Sequence, residues 1–496
     1  MPSLMRCRVL VLMLVMSVVP LVQGQFTSLN NYSHKKFYIY DPLDITNEKN
    51  SLWGFPQCAT FDSFAENAGF GHELDPDGGL HDSWHHSLFS SLFGRLRFSS
   101  RRTFHPSEAE LFFIPYDTSL LERFTTFNET NRTCNDRSLR LCPSFNSDIT
   151  SFLRLQPTFH KHSGIDHVVL GSMTSPFDTC ARLLSKVCPD CLGTGYFTNP
   201  PLKEITRSTA AIWQLKTSGF VSLPFPSVFH WHEELRESPP WTTNPPRPRP
   251  LLSSFVGSQS MMFQPHSKVR KVIVHACQGV RNVSLCTFLQ PTWVKHTPNL
   301  KVMRSQLINI DRNDDFIRDM MHTYKQSVFC FVPPGDEIPR RGLFDVLLAG
   351  CIPVMVHPLM LHAQYPFHLG EERAKAVSVF VPMRLLDSFS SKFKIISFLK
   401  NIPTSIIREK QRQIELLAPS LQYSRPPLHL LKEPWPQKRE QVGPQWDPPF
   451  RDAVDVALDG MFSRAEKLIR GEAVALPEFP DRTAAAWMRM YNTTLK

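Results

Sequence analysis

What this 496-residue sequence lacks narrows it first. It holds no Walker pattern and no GxGxxG, so neither standard Gly-rich phosphate cradle is present. It holds no GxSxG, which removes the usual motif support for a serine hydrolase. Its net charge is +10, yet no basic run or nucleic-acid-binding module goes with it. The charge therefore points to acidic partners such as an anionic polysaccharide or a membrane surface, and not to nucleic acid. No internal repeat is visible, which excludes solenoid architectures. Past the first two dozen residues, no segment is apolar enough to span a bilayer.

What is present reads as globular. Hydrophobic residues make up 42% and charged residues 20%, ordinary values for a chain that buries sizeable cores, and the length predicts two or three domains. The 42 prolines imply many rigid loops. Residues 1–24 read as a targeting segment: Arg6 and Arg8 precede an apolar run from Val9 to Val19, and Gln23-Gly24-Gln25 follows. The segment fits either a cleavable signal or an uncleaved anchor. Asn-X-Ser/Thr acceptors at Asn31, Asn128, Asn131, Asn282 and Asn492 agree with entry into the secretory lumen. So do the eleven cysteines, an even set once Cys7 of the targeting segment is set aside. Cys134 with Cys142, and Cys180 with Cys188 and Cys191, have disulfide-like spacing. The Cys188–Cys191 pair also permits a zinc half-site or redox motif, but no second CxxC or spaced His pair supports it. Cys330 and Cys351 lie on apolar stretches and read as buried thiols. His72, His81, His85 and His86 fit no standard ligand spacing and read as surface histidines.

The most informative stretch runs from Ser327 to Val356, SVFCFVPPGDEIPRRGLFDVLLAGCIPVMV. A buried strand breaks at Pro333-Pro334-Gly335. Pro339 suits the first turn of a helix, Leu343, Phe344, Leu347 and Leu348 give that helix a buried face, and Gly350 sits where a left-handed residue ends it. Ile352–Val356 is the next strand. Such a strand–loop–helix–strand unit builds a parallel sheet, and ligands bind beyond the carboxyl ends of its strands. Free N–H groups there favour an anion, and Arg340 and Arg341 offer planar forks for phosphate oxygens. Asp345 lies one turn on from Arg341. Together these describe a diphosphate grip with a carboxylate nearby for a sugar hydroxyl. The plainer alternative is that both arginines are solvated and Asp345 pairs with one of them.

This stretch resembles the signature of the exostosin-type glycosyltransferases, and its PPGD turn, double Arg and FD most resemble the plant xyloglucan galactosyltransferase branch. Fragments KFYIYD, HPSEAELFFIPY, GIDHVVL, VSLPFPSVFH and LLSSFVG extend the likeness. The resemblance implies an α/β fold, two Rossmann-like domains facing a cleft (GT-B), behind a short N-terminal signal-anchor. Residues 35–240 would hold the acceptor and residues 250–400 the donor nucleotide. The Pro-rich Ser238–Pro250 would link them, and residues 401–496 would pack back across both. The implied reaction moves a sugar of galactose, glucuronic acid, xylose or N-acetylglucosamine type from a UDP-sugar to a glycan or polysaccharide, with inversion. Gly335 and Asp336 would shape the donor loop, Arg340 and Arg341 would hold the diphosphate, and Asp345 would face the ribose. No divalent metal or other cofactor is expected. Asp166 and His167 are the candidates for deprotonating the acceptor. The implied setting is the Golgi membrane, single-pass with a luminal catalytic domain, where association with related transferases is a further implication. Residence in the endoplasmic reticulum or secretion after signal cleavage is the alternative. The rival function is a non-catalytic luminal glycan-binding or partner-stabilising relative.

Overall fold

The computed structural model describes residues 32–40, 70–83, 87–114, 151–170, 191–195, 220–244, 246–259, 264–291, 314–335, 340–356, 360, 365–381, 392–431 and 444–472. The expected targeting segment, the acceptors Asn31, Asn128, Asn131 and Asn492, and Asp336 lie outside them.

In chain order the first half supplies β1 (Phe37–Ile39), a hairpin of β2 (Glu73–Asp75) and β3 (Leu80–His81), α1 (Leu88–Leu96), β4 (Arg102–Thr103), β5 (Leu111–Ile114), α2 (Pro157–Lys161), β6 (His167–Val169), β7 (Leu192–Gly195) and β8 (Phe220–Ser222). Six of these strands form one sheet in the order β4-β1-β5-β6-β7-β8, all neighbours parallel. All four residues of β5 are buried, as the unbroken LFFI run requires when helices and loops cover both faces of a parallel sheet. Leu88, Leu92 and Leu96 of α1 are all buried, as their helical spacing predicts.

The second half supplies β9 (Leu251–Val256), α3 (Gln264–Gln278), β10 (Thr287–Leu289), α4 (Asp314–Gln326), β11 (Ser327–Val332), α5 (Arg341–Leu348), β12 (Ile352–Met355), α6 (Gly370–Val377), β13 (Val379–Phe380), α7 (Lys392–Lys400), α8 (Thr404–Leu417), α9 (Leu428–Leu431) and α10 (Ala453–Ile469). Its five strands form a second parallel sheet, order β10-β9-β11-β12-β13. The chain leaves β9 for β10 on one side and returns to β11 on the other. The carboxyl ends of β9 and β11 therefore diverge, the topological switch at which open α/β sheets bind ligands.

Two disulfides brace this half, Cys277–Cys286 and Cys330–Cys351. The second corrects the reading of buried thiols. Both residues are buried, and Cys330, which the β11–β12 register sets opposite Pro353, reaches diagonally to Cys351 just before β12 to form the bond. Cys191 is disulfide-bonded too, which takes it out of any zinc half-site.

One continuous apolar cluster runs through both sheets. The C-terminal helices bridge them: α8 packs on α6 and β12, and α10 packs on α1 and β5. At the α1–α10 contact, the fully buried Arg95 meets Asp447, Asp452 and Asp455. Asp452 also caps α10 by accepting from the backbone N–H groups of Val454 and Asp455. Burial pushes Asp455 up to about 7, helped by the neighbouring Asp452 charge and opposed by Arg95.

Candidate functional site

The donor-side candidates gather at the carboxyl end of β11. Val332 leads into Pro333, Pro334 and Gly335, all buried. Opposite them, β9 ends at Gly257, whose φ of +143° suits glycine. Arg270 of α3 spans the gap: Nη1 donates to the Ser258 carbonyl (2.6 Å), Nε to Pro334 (2.8 Å) and Nη2 to Pro333 (3.3 Å). A buried guanidinium thus fixes both lips of the switch point. Sequence reading missed it, because one Arg among the lysines of an amphipathic helix carries no distinguishing signal.

Arg340, extended, is the residue before α5. Its guanidinium folds over Gly335, so closely that a Cβ on Gly335 would stand 1.7 Å from Nη1. Glycine there leaves room for the arginine, and a side chain would push the guanidinium aside. Arg341 opens α5. Its Nη1 donates to the Ser83 carbonyl (2.8 Å) and its Nε to Asp345 Oδ2 (3.1 Å). The side chain remains 23% exposed, and Nη2 is not taken up by these bonds. Beside it Gly342 has nothing within 4 Å of where a Cβ would lie. The first turn of α5 therefore faces open space, with Arg340 and Arg341 half-buried at its rim.

Asp345 is different. It is 1% exposed, and Oδ1 accepts from the Ser227 hydroxyl (2.8 Å) and the Val228 N–H (3.1 Å). With Arg341 on Oδ2, both oxygens are occupied. The carboxylate expected to face a ribose is instead a joint between α5 and the segment that follows β8.

Asp166 and His167 lie at the start of β6, at the opposite end of that strand from its carboxyl edge. His167 Nδ1 is 2.8 Å from Asp166 Oδ1 and Nε2 is 2.7 Å from the Tyr40 hydroxyl. The ring stacks on Phe112 and Tyr40 and meets Phe159 edge-on. Burial lowers its pKa against the pull of Asp166, so the ring is neutral with both nitrogens engaged. No ring edge is left for an acceptor hydroxyl. The deprotonating role expected of this pair does not fit its geometry; His167 is a satisfied core histidine.

The histidines correct a further expectation. His72 is exposed, but His81 is fully buried on β3 and faces Glu73 and His232. The two-residue strand that carries it is too short to show a sequence period, so its inward side could not be read.

A parallel two-sheet α/β chain with paired arginines at the start of a helix beyond a strand end is laid out to take an anionic ligand. The Exostosin GT47 domain family matches residues 33–393, and the chain belongs to that family of glycosyltransferases. Among curated relatives it is 24% identical over 380 residues to a probable xyloglucan galactosyltransferase of Arabidopsis thaliana, covering 75% of this chain and 67% of that one. It is 24% identical over 457 residues to the Arabidopsis xyloglucan-specific galacturonosyltransferase 1, covering 88% of this chain and 58% of that one. To another Arabidopsis xyloglucan galactosyltransferase it is 23% identical over 374 residues, covering 73% and 60%. This chain thus spans about three fifths to two thirds of the length of these relatives. A solved GtfA/B complex aligns with a TM-score of 0.30 and 8% identity over 65% of this chain and 61% of that one, which carries no structural argument.

Proposed function

We propose that the chain transfers a sugar from a UDP-sugar to a glycan hydroxyl with inversion, in a two-domain GT-B arrangement, and that xyloglucan-type polysaccharide is the acceptor class. The observation that carries this reading is the rim of α5. Two part-exposed guanidiniums and the positive end of a helix meet at open space beyond a parallel strand. Arg340 and Arg341 would neutralise the departing diphosphate, taking the part a divalent ion plays elsewhere. Gly335 leaves the space that Arg340 occupies, and Asp336 follows it in sequence as a further donor-loop candidate. Asp345 acts indirectly, by orienting Arg341. The disulfides support an oxidising lumen, consistent with a Golgi setting. No described helix is long and apolar enough to cross a membrane.

The test is UDP release by purified protein across UDP-sugars with xyloglucan-type acceptors, comparing wild type with Arg340→Ala. Arg340→Ala is expected to lose at least tenfold in kcat/KM, about 1.4 kcal/mol, with its circular dichroism unchanged. UDP binding by titration without turnover on any donor would replace transfer with glycan or nucleotide binding alone. Turnover equal to wild type in Arg340→Ala would overturn the diphosphate assignment. Added Mg²⁺ or Mn²⁺ is expected to leave the rate unchanged.

A further inference from the structure

Away from the α5 rim, three metal-ligating side chains converge from three segments. Glu73 comes from β2 and His81 from β3, where they are register partners. His232 comes from the stretch after β8, brought alongside by the Leu80–Phe229 bridge. His81 Nε2 lies 3.9 Å and His232 Nε2 3.6 Å from Glu73 Oε1. One ligand atom from each lies within 4.8 Å of the other two. A tetrahedral zinc ion with bonds of about 2.0–2.2 Å holds its donors roughly 3.3–3.5 Å apart, so the two distances to Glu73 need close only slightly.

The nitrogens are also poorly used by the protein. His81 is fully buried, yet neither ring nitrogen has a hydrogen-bond partner of normal geometry, and the same is true of His232 Nε2. His232 Nδ1 sits 2.8 Å from Glu234 Oε2. With Nδ1–H donating to that carboxylate, the Nε2 lone pair points at Glu73, the arrangement by which carboxylates orient metal-binding histidines. His230 is not a candidate ligand, since Nδ1 faces the Tyr423 carbonyl and Nε2 the Ser83 hydroxyl. The nearby cation is Arg425, whose Nη2 lies 3.3 Å from Glu73 and 3.5 Å from Glu234. Two carboxylates against one guanidinium leave the cluster with one net negative charge available to a cation.

We infer that Glu73, His81 and His232 bind one divalent transition-metal cation of the zinc type, distinct from the donor crevice. The cation pins the β2–β3 hairpin to the segment after β8. Ser83, whose carbonyl receives Arg341, lies two residues beyond His81, so the tie steadies the wall against which that arginine rests. The site does not depend on the transferase reading, and its test needs no turnover.

Tag-free full-length protein is stripped with chelator, returned to equimolar Zn²⁺, gel-filtered and assayed for metal by mass spectrometry. Wild type is expected to retain one equivalent, and His81→Gln and His232→Gln to retain none. Glu234→Gln, which removes only the orienting carboxylate, is expected to weaken zinc binding about 10–100-fold. Should the histidine variants fail to fold, wild type loaded with Co²⁺ gives an independent reading: strong visible d–d absorption marks a low-coordinate nitrogen–oxygen site. Wild type that elutes without zinc above the buffer blank, folded histidine variants that keep it, or a Co²⁺ spectrum like that of the free aqueous ion would each overturn the proposal.

Discussion

Replacing Asp345 with Ala tests the joint on which the α5 rim depends. The carboxylate is 1% exposed and accepts from three donors: the Ser227 hydroxyl, the Val228 N–H and Arg341 Nε. Alanine strands all three, two of them where water has little access. A buried donor left unmet costs about 1–3 kcal/mol. Arg341 is 23% exposed, so its charge is partly hydrated and its share falls at the low end. Two such donors and a low-end share for Arg341 add to about 3–7 kcal/mol, and the lower part of that span coincides with the roughly 3–5 kcal/mol for breaking one side of a buried ion pair. Asp345→Asn keeps a carbonyl oxygen for Ser227 and Val228 and loses only the charged bond, so about 1.5–3 kcal/mol is expected. Urea unfolding read by tryptophan fluorescence measures both as midpoint shifts at constant slope. A loss below about 1 kcal/mol in Asp345→Ala, or equal losses in the two variants, would refute the claim that these three donors depend on that carboxylate.

Glycine substitutions separate shape from stability at the same rim. Gly342→Ala meets open space and should stabilise by about 0.5–1 kcal/mol while raising KM for the UDP-sugar if that space holds the donor. Gly335→Ala must displace the mobile end of Arg340; titration with UDP should show weaker binding, with the unfolding midpoint little changed. The Arg95 cluster predicts a pH dependence. Asp455 titrates at about 7 in the fold against an ordinary 3.8, so its contribution is full below about pH 4 and is lost as pH rises through 7. Urea midpoints measured across that window should show the decline, and Asp455→Asn should flatten it. Replacing Cys330 and Cys351 together by Ala removes a cross-link of sequence separation 21, worth about 3 kcal/mol by chain entropy, and the urea midpoint of the double variant reads that loss.

The β11–α5–β12 unit was legible because each of its signals is local. Leu343, Phe344, Leu347 and Leu348 are buried where helical spacing put them, and Gly350 ends the helix with φ +71°. The partners of those residues were not legible, because each depends on segments distant in the chain. The spacing of Asp345 from Arg341 suggests the ligand side, but the Ser227 hydroxyl and the Val228 N–H reach it from more than a hundred residues away and take Oδ1. Burial of Cys330 and Cys351 is visible in their apolar neighbours, whereas their bond depends on β12 lying beside β11 in the sheet. His167 was visible as a histidine on a buried strand, and only Tyr40, from β1's end, shows that its second nitrogen is already used.

The Pro-rich stretch between the sheets shows how such distant contacts change an architectural expectation. Composition marks 238–250 as a linker, but Trp241 is buried edge-on against Phe229. Arg249 donates to the carbonyls of Tyr324, Ser327 and Ala349. Tyr324 lies in the last turn of α4, Ser327 opens β11 just past it, and Ala349 is the residue after α5, so the cation sits at two helix ends where the dipoles favour it. Gly350 makes room for the contact, since a Cβ there would stand 2.5 Å from Arg249 Nη2. Helix α5 is therefore held to the first half of the chain near its start, through Arg341 and Asp345, and to the inter-sheet segment at its end, through Arg249. A hinge at 238–250 would have to expose Trp241 and strip a largely buried guanidinium of three acceptors before the sheets could part. The geometry between the α5 rim and the first sheet is thus set by a helix held at both ends.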